Sequence, residues 1–330
     1  MRDSKYPVIS GTRIGVHQSD ERGMSDKKKP IYLDYNATTP VDPAVTKAML
    51  PFFELYFGNP SSSHVYGQQA KEAVEHARTR VAQLIGGKPD EIVFTSGGTE
   101  SDNHAIVGTI LAIDKEKRHI ITSQIEHPAV LNTCRYLEDR FGFRVTYLPV
   151  DKHGSVNPQS IERAITKETV LITIMHANNE VGTIEPIEEI GEIAHERGIT
   201  FHTDAAQSCG KIPVNVDNLR VDLLTIAGHK LYAPKGVGAL YIRDGTKLDS
   251  FIHGAGHEDG RRAGTENVPY IVGLGKACEL AREELPAYGE RTKRLRDKLH
   301  DALLDALGKD QVRLNGHPDR RLPNTLNTSI

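Results

Sequence analysis

Between Glu91 and Ile242, short runs of apolar and β-branched residues alternate with helical patterns, and that alternation limits how the chain can fold. Glu91-Ile92-Val93-Phe94 reads as a strand, followed by a glycine-rich turn and a helix from about Glu100. His119-Ile120-Ile121-Thr122 and Arg144-Val145-Thr146-Tyr147-Leu148 read as the next two strands. Val170-Leu171-Ile172-Thr173-Ile174-Met175 is nearly continuous in apolar character, as expected of a strand buried on both faces. A helix is expected over Ile187 to Arg197, then strands at Ile199–His202, Leu223–Ile226 and Gly238–Ile242. This pattern predicts an α/β fold with a mainly parallel, doubly wound sheet. From about Pro269 the chain turns helical and charged, and Leu326 to Ile330 reads as the start of another strand.

Composition narrows the function. The 330 residues are 38% hydrophobic and 26% charged, an ordinary globular balance. A net charge of −3 gives no sign of a nucleic-acid partner. No apolar run approaches the roughly 20 residues that span a bilayer. Cys134, Cys209 and Cys278 form neither a disulfide framework nor a C-x-x-C pair, so a reducing, cytoplasmic setting without structural zinc fits best. Residues 1–29, ending in Lys27-Lys28-Lys29, lack an apolar stretch and read as a disordered extension rather than a secretion signal. Met24 is a second candidate start.

Polar residues recur at the carboxyl ends of the expected strands, where doubly wound sheets bind ligands. Thr95-Ser96-Gly97-Gly98-Thr99-Glu100-Ser101 opens a helix whose free N–H groups suit a phosphate, although a capped glycine turn has the same composition. His127 follows one strand end and could stack on a flat ring, while a lone histidine there is more often structural. Asn178-Asn179 are turn formers or ligand donors. Asp204 ends a strand, where a carboxylate needs a cation or several donors; a protonated pyridine nitrogen would serve, and a metal shared with His202 lacks a third ligand at a recognisable spacing. Lys230, in Ala227-Gly228-His229-Lys230, follows a buried strand directly. A partly desolvated amine forms imines with aldehydes; the plainer alternative is a lysine paired with Asp204 or Asp222. The order of phosphate loop, histidine, asparagine, aspartate and lysine on successive strand ends favours pyridoxal 5'-phosphate (PLP), held by Lys230 as a Schiff base.

With these residues in view, the sequence resembles class V PLP enzymes, more narrowly cysteine desulfurases of the NifS/IscS type and selenocysteine lyases. The resemblance runs from about Ile31 to the end. It is carried by Tyr32–Pro40, Phe57–Ser62, the Gly97–Ser101 loop, the segments around His127, Asn179, Asp204 and Lys230, and Arg262–Asn267. It implies the type I aminotransferase-like fold, with a large PLP-binding domain over 30–268, whose N-terminal segment contributes to a small domain. Residues 269–330 would be a linker helix and the start of that small α+β domain. The resemblance also implies roles. Lys230 binds the cofactor and moves the proton; Gly98, Thr99 and His229 bind phosphate; His127 stacks on the ring. Asp204 pairs with the ring nitrogen, and Asn179 and Gln207 contact the ring hydroxyl. Thr265 is similar to a residue that reaches the phosphate of the other subunit, which implies a homodimer.

The implied reaction removes sulfur or selenium from L-cysteine or L-selenocysteine to leave L-alanine, supplying sulfur to an acceptor protein for iron–sulfur cluster or other thio-cofactor assembly. Two departures bear on it. Ala227 stands where many desulfurases have serine, which tilts slightly toward the lyases. The family's sulfur-accepting cysteine and substrate-carboxylate arginine lie beyond Leu322-Pro323-Asn324-Thr325, so the chain reads as a fragment. A non-catalytic PLP-fold scaffold is the remaining alternative, against which Lys230 and Asp204 both speak.

Overall fold

The computed structural model describes residues 30–113 and 118–330; the expected extension over 1–29, with Met24, lies outside the described residues. Three helices precede the sheet: α1 (Pro43–Met49), α2 (Pro51–Glu54) and α3 (Val65–Ile85). The expected runs then become β1 (Ile92–Thr95), β2 (His119–Ser123), β3 (Arg144–Leu148), β4 (Thr169–Thr173), β5 (Thr200–Asp204), β6 (Leu223–Ala227) and β7 (Gly238–Ile242). Between them stand α4 (Gly98–Leu111), α5 (Pro128–Phe141), α6 (Pro158–Ala164) and α7 (Ile187–Glu196).

The seven strands form one sheet in the order β1-β7-β6-β5-β4-β2-β3. β2 through β6 pair in parallel, whereas β7 runs antiparallel to both β1 and β6. Neighbouring residues of the apolar runs serve opposite faces. Ile121 and Ile172 join α3 and α7 in the larger core, while Ile120 and Leu171 join α4 and α5 in a second one. Both faces are covered, which is why β4 reads as almost uninterrupted apolar residues.

After β7 the chain passes through Glu258, whose buried carboxylate takes a bidentate ion pair from Arg78 of α3 at 2.7 and 3.0 Å and the Phe94 N–H at 2.9 Å. This pins the loop that carries Arg262 and Thr265 against β1. Helix α8 (Val268–Leu307) follows and contains Pro286. Its fully buried positions lie between Val268 and Cys278, and beyond them Leu295 and Leu299 are exposed. The expected last strand is present as β9 (Thr328–Ser329), paired antiparallel with β8 (Arg313–Leu314). No described helix is long and apolar enough to cross a membrane.

Candidate active site

The strand ends converge on a cavity of about 670 Å³. Gly98, Thr99, His127, Asn179, Asp204, Gln207, His229 and Lys230 all line it. Thr265 does not; it lies exposed on the loop after Glu258.

One end of the cavity is built for an anion. Helix α4 begins without a side-chain cap, so its first N–H groups remain available. Its N-cap, Gly97, holds φ 147° and ψ −179°, a conformation open essentially to glycine. Gly238 of β7 must also lack a side chain, because a Cβ there would sit 2.8 Å from the Gly97 Cα. Glu100, in the first turn of α4, accepts from Ser96 N at 2.8 Å and from Arg262 Nε at 2.7 Å. Burial acts to raise the Glu100 pKa, but the Arg262 and Ser96 hydrogen bonds outweigh it and hold the carboxyl below its usual value. Ala227 lines the same end and offers no hydroxyl.

The other end is built for a cationic ring nitrogen and an amine. Asp204 is buried, and among the described residues one N–H reaches it, from Ala206 at 2.9 Å. Burial pushes its pKa up, and the charges of His127 and Lys230 pull the other way. His127 caps α5, its Nδ1 accepting from Ala129 N at 3.1 Å, so the neutral ring carries its proton on Nε2. The two asparagines divide the alternatives: Asn178 builds the turn by accepting from Glu180 and Val181, while Asn179 faces the cavity.

Lys230 is paired with neither Asp204 nor Asp222. Its Nζ donates to the carbonyls of Asn36 and of Ala37, the latter at 3.0 Å, and Asp222 accepts from Phe201 N. Desolvation lowers the Lys230 pKa against the opposing pull of Asp204. The lysine turn is clamped by the segment before α1. Thr39 donates to the His229 carbonyl and accepts from Tyr232 N, both at 3.0 Å, holding Tyr232 at φ 61°.

Three features escaped the sequence reading. Asn36 receives Gln207 Nε2 at 2.9 Å on the carbonyl that Lys230 also uses, and its side chain bonds Thr325 at 3.0 Å. Asp102, on α4, is a buried cavity-lining carboxyl with an oxygen lacking a hydrogen-bond partner. Burial and the neighbouring Asp204 hold its pKa well above the usual value. Cys209, two residues after cavity-lining Gln207, lies fully buried in the larger core together with Cys278 and does not line the cavity.

Glu126, beneath His127, accepts from Ser123 Oγ at 2.5 Å and from Met175 N at 2.9 Å. Burial raises its pKa to about 8 despite those donors. A carboxyl raised in this way contributes stability below its unfolded pKa that is lost as pH rises toward about 8. Glu126→Gln, a stand-in for the protonated acid, should match the wild type near pH 5 and exceed it at pH 8 by on the order of 1–3 kcal/mol. Urea unfolding at both pH values checks this, and a pH-independent difference would contradict it.

The residues present fit PLP. A buried carboxylate with one donor suits a protonated pyridine nitrogen, an uncapped helix start suits a phosphate, and a desolvated lysine suits an aldehyde. Fold and cavity together define a type I PLP enzyme.

The comparisons narrow this further. The aminotransferase class-V family model matches residues 31–330. The cysteine desulfurase IscS of Dictyoglomus turgidum is 54% identical over 92% of this chain and 76% of its own length. That of Methanosarcina thermophila is 51% identical over 96% of this chain and 78% of its own. Among solved structures, a NifS-like protein superposes with a TM-score of 0.86 at 42% identity, covering 90% of this chain and 81% of its own. SspA in complex with cysteine gives 0.80 at 42% identity, covering 91% and 83%. This chain belongs to the class-V aminotransferase family, in its cysteine desulfurase group, and its cofactor is PLP.

Proposed function

We propose that the chain takes sulfur from L-cysteine and leaves L-alanine, with Lys230, Asp204 and His127 as the working residues. The observation that carries this reading is the convergence of those three side chains on one cavity beside an uncapped helix start. Bound PLP supplies an aldehyde for amines and a protonated ring that withdraws electrons from the carbon beside the amine.

This chain's residues do the rest. Asp204 keeps the ring nitrogen protonated. His127, which lines the cavity, would stack on the ring. Lys230 would hold the cofactor, and its free amine has the Asn36 and Ala37 carbonyls as resting partners. From there it takes the proton of the substrate α-carbon and later returns it. Gly98, Thr99 and His229 hold phosphate, and Asn179 and Gln207 meet the ring hydroxyl.

The sulfur leaves to a thiol: the substrate C–S bond breaks, an S–S bond forms, and the thiol hydrogen balances alanine. All three cysteines here are buried, and desolvation pushes Cys134 and Cys278 up to about 12. Burial keeps all three from the cavity as thiolates, so the thiol that first takes the sulfur is none of them; a cysteine beyond Leu322–Thr325, where the family resembled carries it, would pass the sulfur to an acceptor protein. Exposed Thr265 suits a homodimer in which it reaches the partner's phosphate. A large domain over 30–268 and a small-domain portion over 269–330 belong to the same proposal, with α8 crossing that boundary and its buried positions ending at Cys278. A cytoplasmic setting accords with unpaired cysteines.

Incubating PLP-loaded protein with L-cysteine and dithiothreitol should release alanine and sulfide together. Selenocysteine is assayed in parallel, because Ala227 favours a lyase. A loaded protein that forms alanine from neither substrate, even with the added thiol, overturns the reading.

A further inference from the structure

Lys211 follows β5 by one short turn, and its sequence context, Gly210-Lys211-Ile212-Pro213, suggests an ordinary surface lysine. It is instead 4% exposed. Its Nζ donates to Gln207 Oε1 at 2.8 Å, and among the described residues no carboxylate forms an ion pair with it. A buried ammonium on a neutral acceptor is expensive, and an apolar side chain of similar length would serve packing better. Burial and the nearby Lys230 charge pull its pKa down to about 7.

The geometry gives the lysine a purpose. Lys211 donates to Gln207, so the amide oxygen of Gln207 faces Lys211. The Gln207 Nε2 is thereby turned toward the cavity, where it donates to the Asn36 carbonyl at 2.9 Å. Lys230 donates to that same carbonyl. Behind both lysines lies a second cavity of about 270 Å³, from which Asp42, Glu284, Arg291, Tyr232 and Tyr288 face them.

We propose that Lys211 is a positioning residue: by occupying Gln207 Oε1 it compels Gln207 to present an N–H donor to the ring hydroxyl oxygen of the cofactor. This rests on the reading of the front cavity as the PLP site. Without Lys211 the amide keeps only the Asn36 carbonyl to hold its orientation, and a positive charge behind Gln207 is lost. Both changes make that end of the cofactor more basic.

The test is the pH midpoint at which the visible absorbance of the PLP-loaded protein titrates. In Lys211→Met it should rise by about one unit, with cofactor loading and thermal unfolding showing that the protein is folded. Lys211→Leu, which also offers no donor, should shift it in the same direction and carries the test if the methionine variant does not fold. In a Gln207→Leu background, Lys211→Met should add much less than it does alone. A folded, loaded Lys211→Met or Lys211→Leu protein with the wild-type midpoint overturns the proposal. A wild-type protein with no visible band defeats instead the PLP reading on which it rests.

Discussion

Lys230→Ala is expected to abolish covalent capture of the cofactor: borohydride, which should fix PLP to the wild-type chain, will add no pyridoxyl mass to the variant. The absorbance near 400–430 nm, roughly where a PLP–lysine imine absorbs, should go with it. Alanine formation should fall by roughly 10²–10⁴-fold, the range for losing a positioned general acid or base. The effect is large because no neighbour can substitute. Lys211 is engaged by Gln207, Lys235 is exposed, and neither follows β6 directly. Borohydride trapping on the variant at wild-type yield would place the reactive lysine elsewhere.

Asp204→Asn should produce two effects of opposite sign. With cofactor absent, the wild-type carboxyl is buried with one backbone donor and its pKa is raised, chiefly by desolvation. Its stabilising contribution is therefore present below the unfolded value and lost as pH rises, so the apo variant should melt higher than the wild type at neutral pH. With cofactor present, the charged partner of the ring nitrogen is gone. Affinity should then fall by about 3–4 kcal/mol, or roughly 10²–10³-fold. Thermal melts of both forms and a PLP titration measure the pair. A variant that binds PLP as tightly as the wild type would remove Asp204 from the ring nitrogen.

The parts of the site that could be read from the sequence lie where a buried strand stops. β4 and β6 are largely apolar because both faces are covered, and charged side chains at the ends of such buried strands are conspicuous. Asp204 and Lys230 were found in that way. The direction of β7 was not legible, since an apolar run looks the same parallel or antiparallel. Lys211 and Asn36 stayed hidden for a different reason. Each owes its environment to partners far away in sequence, and nothing local distinguishes a buried Gly-Lys from an exposed one. Asp102 sits on α4 among Ser101, Asn103 and His104, where helical periodicity does not separate an inward carboxyl from a solvated one. The burial of Cys209 was likewise not legible, since residues two apart in a turn can face opposite ways: Gln207 lines the cavity, whereas Cys209 turns into the core with Cys278.

Asn36 joins the segment before α1 to residues 143, 194 and 289 positions further along, at Asn179, Lys230 and Thr325. Contacts of such long sequence separation form late, because the chain entropy of closing the intervening loops is lost before they stabilise anything. On the ribosome, the resting place of the Lys230 amine can be complete only once Thr325 has been synthesised and has docked. A nascent chain therefore passes through a stage in which the sheet can exist without a finished pocket. Cofactor capture becomes a marker of completed folding rather than an aid to its beginning.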